Sequence, residues 1–394
     1  MSSTSGRRST AGSTQFDKRS RSRVCRPFAM AVTHPKEQEL TTLETTRSAA
    51  ELVSPIEESL RSHPERHRVV SGDRPTGPLH LGHYVGTLAN RVRLQDLGVP
   101  VTVVIADYQV ITDRAETGNL HDRVRTLIAE YLAAGIDPDR SVIFAHSGVP
   151  TLNQLLLPFL SLVSDAELHR NPTVKAESLA SRRSLSALLL TYPVHQAADI
   201  IGQRGDVVPV GKDQLPHLEL ARLIARRFND RYGQIFTPPA ALLTSTPAVL
   251  GLDGAKMSKT RGNTIMLGAG EDETVAAIRA AQTDSLPHIA FEPSTRPQIA
   301  NLLGIVAELT GRSPVHVAEE IGDGGAVTLK RRTAEVINES LRGLRRRRRE
   351  LLSDPAYLDG VLLDGTARAM DTAAGVLDQV REAMGMDYLR RSGG

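Results

Sequence analysis

Three segments carry residues whose types and spacing could do chemistry. The first is RPTGPLHLGHYVG, Arg74 to Gly86. Gly77 and Gly82 let the backbone approach a ligand closely, and His80 and His83 are three residues apart, so both imidazoles can face one anion. A turn of this kind that opens a helix offers unpaired N–H groups and a partial positive charge to a phosphate. On residues alone it is equally a Gly/Pro turn with incidental histidines, and it is neither a Walker A sequence nor a GxGxxG. The second segment, LDGAKMSKTRGNTI from Leu252 to Ile265, sets Lys256 and Lys259 around Met257 and Ser258. Two ammonium groups on a Gly-rich loop are what a leaving pyrophosphate needs. The plain alternative is a solvated basic turn. The third, VVPVGKDQLPHLELARLIARRFN from Val207 to Asn229, puts Asp213, Gln214 and His217 between a strand and a helix, where open α/β sheets bind ligands. They are polar readers of a small substrate or, more simply, helix caps.

Positioning these groups calls for a particular order of elements. RHRVVSG reads as a strand ending in Gly72, and the run from Gly82 to the stop at Gly98 reads as a helix. PVTVVIAD, Pro100 to Asp107, is nearly continuous in β-branched residues, as in the buried middle of a parallel sheet. A helix over Leu120 to Ala134, a strand over Ser141 to His146 and helices through Asn153 to Leu168 follow. After a polar patch come the apolar helix Leu185 to Ile201, a strand over Asp206 to Val210 and a helix over Leu215 to Tyr232. This alternation predicts an α/β fold, a Rossmann-like doubly wound parallel sheet with a helical insertion. No strand is evident from Thr295 onward, so an all-helical C-terminal domain follows it. The expected domains are a basic, largely disordered extension with short helices over 1–67, a catalytic domain over 68–270 and a helical domain over 271–394. The insertion falls around 145–190 and the lysine loop at 256–260.

Composition narrows the class. At 394 residues the chain is far longer than a small stapled scaffold needs. Lys+Arg number 48 against 45 Asp+Glu, a balance of +3, so basic character matters only where it clusters. The first 36 residues hold eight Lys or Arg against one Asp, and Leu341 to Glu350 reads LRGLRRRRRE. Five consecutive arginines cannot all point one way on a helix. The single cysteine, Cys25, excludes an intrachain disulfide framework and a Cys-based metal site, and points to a reducing, cytoplasmic compartment. No apolar stretch approaches the roughly 18 residues of a membrane span, and the N-terminus lacks the apolar segment of a secretory signal. Its Ser/Arg character leaves an organellar transit peptide open beside the simpler reading of a disordered extension.

The motifs together resemble a known family. HLGH at His80 to His83 is similar to the HIGH motif, and KMSKT at Lys256 to Thr260 to the KMSKS motif, of class I aminoacyl-tRNA synthetases. Within that class SGDRPTGPLHLGHYVG, LLTYPVHQAADI and VPVGKDQLPHLELAR look like tryptophanyl-tRNA synthetase. The tyrosine enzymes usually have Asn where this chain has His217. A nucleotidylyltransferase would share the HxGH turn without the rest, and a dead RNA-binding paralogue would be expected to lose the phosphate site first.

The resemblance implies an ATP-dependent ligase that forms tryptophanyl-adenylate and then charges tRNA(Trp), with no protein nucleophile. It implies that His80 and His83 contact ATP phosphates, that Lys256 and Lys259 hold the β and γ phosphates, and that Lys175 approaches pyrophosphate. Arg74, Thr76, Gly82, Met257 and Ser258 fall at its ATP-binding positions. Mg²⁺ would be held mainly by the phosphates, with no protein metal site. Asp199 would accept the indole N–H, with Tyr192, Gln196, Val208 and Val210 lining the pocket and Gln214 at the α-amino end. DYQVIT, Asp107 to Thr112, matches a segment that closes over substrate. Arg342, Arg345, Arg346 and Arg349 become candidates for tRNA phosphate contacts on a helical anticodon-binding domain, in a C2 homodimer without DNA or membrane partners. The chain departs from the family at Gln196, where Met is common, and at Asp73-Arg74. With His195 these changes make the pocket wall more polar, and they resemble a divergent auxiliary bacterial form tolerant of tryptophan-mimicking inhibitors.

Overall fold

The computed structural model describes residues 54–112, 117–181, 185–211, 214–243, 249–255 and 257–388. These form one unit over Ser54–Gly394. At its centre is a parallel sheet of five strands: β1 (Val69–Asp73), β2 (Val101–Ile105), β3 (Val142–Ala145), β4 (Val207–Val210) and β5 (Ala240–Leu243), in the spatial order β3-β2-β1-β4-β5. β2 is buried at Val101, Val103, Val104 and Ile105, as a strand covered on both faces must be. The chain winds outward from β1 to β3 on one side and from β4 to β5 on the other. The topological switch therefore lies between β1 and β4, whose carboxyl ends open a crevice.

Crossover helices follow each strand. A three-residue turn of helix at Leu81–His83 leads through a π-helical turn, Tyr84–Leu88, into α2 (Ala89–Asp96), and α1 (Pro55–Ser62) precedes the first strand. The sequence predicts one regular helix from Gly82, and the π turn is a local widening often found at functional sites. α3 (Leu120–Ala134) starts on the Asn119 cap and stops at Gly135, matching the predicted bounds. Between β3 and β4 run α4 (Pro150–Leu160), α5 (Asp165–Arg170), α6 (Pro172–Ser181) and α7 (Ala187–Gly202), and α8 (Leu215–Tyr232) crosses to β5. β5 is not evident in the sequence because AALL has no β-branched residue, and pairing with β4 alone makes it a strand.

Beyond the sheet the longer regular elements among the described residues are helices: α9 (Glu271–Ala280), α10 (Pro297–Thr310), α11 (Pro314–Ile321), α12 (Gly325–Leu352) and α13 (Pro355–Ala383). Two apolar cores lie on the two faces of the sheet. One joins Val69, Val103 and Ile105 to Leu127 of α3 and to Ile337 and Leu341 of α12. The other joins Val70, Val104 and Phe144 to Ile200, Phe228 and Val376 of α13. α13 is also tied to the edge beside β3, where Arg368 Nη2 donates to Ser141 O at 2.6 Å.

Under the crevice lies a buried ion pair. Arg91 Nη1 donates to Asp73 Oδ2 at 2.6 Å, Tyr131 Oη donates to the same oxygen at 2.8 Å, and Arg91 Nε reaches Ser71 Oγ at 2.9 Å. Asp73, one of the family departures, thus anchors the end of β1. Burial pushes its carboxyl up, but the Arg91 guanidinium and the Tyr131 hydroxyl more than reverse this and hold it at about 2. Asp73→Ala is expected to cost about 3–5 kcal/mol at neutral pH, since Arg91 is left buried without its counter-charge. Because the folded value lies below the ordinary 3.8, that contribution is present above pH 3.8 and fades as the pH falls through about 2. Denaturant titrations of parent and variant at pH 7 and pH 2.5 check this, and a gap that does not narrow in acid would contradict it.

Candidate active site

The nucleotide-like end is built from the turn after β1 and the lysine loop. Lys259 Nζ donates to Gly77 O at 2.7 Å, so the loop reaches across to the turn. The chain leaving the loop then pairs with the turn: Leu81 N donates to Ile265 O at 2.8 Å and Leu267 N to Leu79 O at 3.0 Å, around an antiparallel bridge of His80 with Met266. The His80 and His83 ring centroids are 3.7 Å apart. His83 Nδ1 accepts the His80 N–H at 3.2 Å. His80 is buried, and its Nδ1 meets no hydrogen-bond partner among the described residues. Burial first, then the charges of His83 and Lys259, push the His80 imidazole down to about 3, so it is neutral at physiological pH. A Cβ on Gly82 would stand 3.1 Å from His80 Nδ1 and 3.4 Å from Met257 Sδ, which is why a glycine lies between ring and thioether. Arg74 donates to Gln109 O at 2.9 Å and Thr112 Oγ1 at 3.1 Å, joining this turn to the DYQVIT segment. Thr76 is half-buried in the turn. Asn263, not singled out in the sequence, closes the lysine loop: its Oδ1 accepts Ser258 N at 2.7 Å and its Nδ2 donates to Asp253 Oδ1 at 2.6 Å.

At the other end the carboxyl edges of β2, β3 and β4 face α7. Asp199 on α7 is 4% exposed and His146, just past β3, is 1% exposed. His146 Nε2 donates to Asp199 Oδ2, and Asp199 Oδ1 has no partner among the described residues. Burial pulls the His146 imidazole down, yet the Asp199 carboxylate beside it outweighs this and raises it. His195, ring to ring with His146 at 4.5 Å, is lowered by burial foremost. Asp107 accepts from Tyr108 N at 3.0 Å and Ser147 N at 3.1 Å, fixing the segments after β2 and β3 against each other. Tyr192 Oη and His217 Nε2 are 3.0 Å apart, and Val208 and Val210 are buried on β4. Gln196 and Gln214 are half-buried. A buried carboxylate oxygen left open beside the His146 and His195 rings suits a ligand that brings one N–H donor.

His146, which sequence reasoning places only as a strand end, is brought against Asp199 and His195 by the fold. The signal was its position at the carboxyl edge of a parallel strand. The donor atoms of His146, His195 and Asp199 lie within 4.8 Å of one another. They could gather around a cation, but it would take the place left open at Asp199. At the nucleotide-like end the His80 and His83 imidazoles and the Lys259 ammonium match phosphate oxygens rather than a hard cation such as Mg²⁺, and Asp253 Oδ1 is taken up within the loop by Asn263 and the Ala255 amide.

Other expected residues fall elsewhere. Lys256 and Asp213 lie outside the described residues, as does Cys25. Lys175 is exposed on α6. Arg342, Arg346 and Arg349 are exposed on α12. Arg345 is corrected: at 5% exposure it is internal, with Nη1 on Asn338 Oδ1 at 2.8 Å and Nη2 on Thr274 Oγ1 at 2.7 Å, and no phosphate reaches it. Among the described residues no helix is long and apolar enough to cross a membrane.

A parallel sheet with a switch point between β1 and β4, a His/Gly turn bridged to a lysine loop on one side and a buried Asp199 beside His146 and His195 on the other have the layout of an amino-acid-activating class of protein. Residues 62–342 match the family of tRNA synthetases class I (W and Y). The tryptophan–tRNA ligase of Treponema pallidum (strain Nichols) is 40% identical over 343 residues, covering 81% of this chain and 97% of that protein. The tryptophanyl-tRNA synthetase from Campylobacter jejuni, solved with ADP and tryptophane, superposes with a TM-score of 0.70 at 31% identity over 81% of this chain and 99% of that one. That from Mycoplasma pneumoniae gives 0.72 at 27% identity over 81% and 97%. The chain belongs to the class I tRNA synthetases, and within them to the tryptophan–tRNA ligase family.

Proposed function

We propose that this chain ligates L-tryptophan to tRNA(Trp) in two steps on the crevice at the ends of β1 and β4. The tryptophan carboxylate attacks the α-phosphate of ATP in line. A carboxyl–phosphate bond forms, the bond to the bridging oxygen breaks, and pyrophosphate leaves. A hydroxyl of the terminal adenosine of the tRNA then takes the acyl group and AMP departs. No protein nucleophile enters, so the chain contributes position and charge. His80 meets the phosphates as a neutral imidazole, His83 stands with it, Gly82 and Met257 lie beside them, and Lys259 and Lys256 neutralise the leaving pyrophosphate. Arg74 and Thr76 shape this end, and Lys175 joins it from the insertion. Bound Mg²⁺, carried by the phosphates, would supply further charge neutralisation.

The observation that carries the reading is the buried Asp199, with one oxygen held by His146 and the other open. An indole N–H satisfies that oxygen, and phenylalanine has no donor to offer. Tyr192, Gln196, Val208 and Val210 surround the ring and Gln214 takes the α-amino end. His146→Ala is expected to raise KM for tryptophan about tenfold or more with kcat little changed, because Asp199 then loses its orienting donor. Steady-state exchange kinetics check this; an unaltered KM would remove His146 from the pocket's function.

The helical region 271–394 reads the anticodon in this proposal, with Arg342, Arg346 and Arg349 on tRNA phosphates, and two chains pair about a two-fold axis in the cytoplasm. The deciding experiment is ATP–pyrophosphate exchange with each amino acid in turn. Exchange with tryptophan alone supports the reading. Exchange with tyrosine, or with none, overturns it.

A further inference from the structure

The arginine run is not all surface, and its inward members reach the nucleotide-binding turn. Glu130 on α3 is 0% exposed, and its Oε2 accepts the Leu79 N–H at 2.7 Å, on the residue that immediately precedes His80. Its Oε1 accepts from Arg348 Nε of α12 at 3.0 Å. The Arg348 guanidinium passes so close to Gly268 that a Cβ there would stand 2.8 Å from Cζ. Gly268 follows Leu267, the residue whose N–H bonds Leu79 O as the chain leaves the lysine loop. One turn back on α12, Arg345 bonds Thr274 and Asn338 and fixes the start of α9. The Leu79–His80 backbone is therefore held from one side by a carboxylate and from the other by a strand-like segment, and α12 grips both.

We propose that Glu130 and Arg348 are positioning residues for ATP: Arg348 on the C-terminal helix seats Glu130, and Glu130 holds the Leu79 amide and so sets where His80 stands. Neither residue touches substrate. The geometry explains why a carboxylate stands in an otherwise apolar helix face beside Leu127 and Tyr131, which packing alone would fill with an aliphatic. Burial pushes the Glu130 carboxyl up, while the Leu79 amide and Arg348, with the charge of Lys259, act against it. Without Arg348, the carboxylate would stand in a dry site with too little counter-charge and would release or distort the amide it holds. The exposed members of the same run, Arg346 and Arg349, lie on the outer face of the helix whose inner face seats the turn.

The inference rests on the reading of the turn as the ATP site, and the test separates the two. ATP binding by calorimetry without amino acid, and exchange kinetics for both substrates, are measured for the full chain and for Glu130→Ala, Glu130→Gln, Arg348→Met, Arg348→Lys and the double variant E130A/R348M. Tryptophan-dependent exchange by the parent is the control for the reading itself; its absence overturns that reading. With the control in place, Glu130→Ala and Arg348→Met are expected to raise KM and Kd for ATP about tenfold, with KM for tryptophan changing less than about twofold. The double variant should be no worse than Glu130→Ala alone, and Arg348→Lys should recover part of the loss. Should the alanine variant not fold, Glu130→Gln keeps an acceptor for Leu79 and loses the charge, and the same split is read from it. ATP constants unchanged in folded variants, or both substrates weakening together, would overturn the proposal.

Discussion

Asp199→Ala is expected to lower kcat/KM for tryptophan in ATP–pyrophosphate exchange by about a hundred- to a thousandfold, with ATP binding in the absence of amino acid left near the parent value. The parent pocket presents a buried carboxylate whose Oδ2 is taken by His146 and whose Oδ1 is open. Removing it costs the charged hydrogen bond to the indole and leaves an N–H unpaired in a dry site. Each effect is worth about 1–3 kcal/mol, and together they amount to two or three decades. The same change should narrow the preference for tryptophan over phenylalanine, because under the proposed reading phenylalanine would leave Asp199 desolvated without a donor. Asp199→Asn should fall between, since its carbonyl can still accept the indole N–H while its amide must be accommodated by His146. An alanine variant that kept kcat/KM within about tenfold, or that lost ATP binding equally, would place indole recognition elsewhere.

The contrast between Asp199 and its partner shows what a sequence makes legible. HLGH and KMSKT are each written in a few adjacent residues, so spacing and resemblance alone single them out as candidates for the nucleotide end. The bridge between them, Lys259 to Gly77 O, spans 182 positions and needs the sheet to be folded. His146 lies 53 residues before Asp199 and becomes part of the pocket only because β3 and α7 end at the same edge. Nothing local distinguishes it from any strand-ending histidine. The arginine run poses the same difficulty in another form. A helix of this composition must bury some face, but which face depends on where α3 and the Leu267 segment come to lie. Hence Arg345 and Arg348 turn inward to Thr274 and Glu130 while their neighbours stay in solvent. β5 was hidden for a related reason, since its four residues become a strand through β4 and not through their own preference. The long helices α3 and α8 are legible because apolar periodicity and a terminal glycine agree in both, and in α3 the Asn119 cap agrees as well.

Lys259→Ala is the second large effect, and it acts on the opposite end of the crevice. The ammonium now rests on Gly77 O at 2.7 Å, close enough to the His80 ring that its charge helps depress that imidazole. When ATP enters the turn, phosphate oxygens are a stronger partner than a neutral carbonyl, so the loop that carries Lys259 follows the phosphates as pyrophosphate charge develops. Losing one such donor from a preorganised site costs about 3–4 kcal/mol in the transition state and less in the ground state. The expected result is a fall in exchange kcat of about a hundred- to a thousandfold, with tryptophan affinity by calorimetry unchanged. Lys259→Arg should not restore the rate, because a planar fork cannot follow the same path as a compact ammonium on a short loop. A second readout is independent of turnover: removing the charge lifts one of the causes that hold His80 at about 3, so its imidazole titrates at higher pH in the variant, measurable by NMR. If kcat fell while the His80 titration stayed in place, the lysine would be acting from a position other than the one beside the HLGH turn. If neither moved, Lys259 would not clamp the pyrophosphate, and the neutralising charge would have to come from Lys256, Lys175 or the phosphate-bound cation.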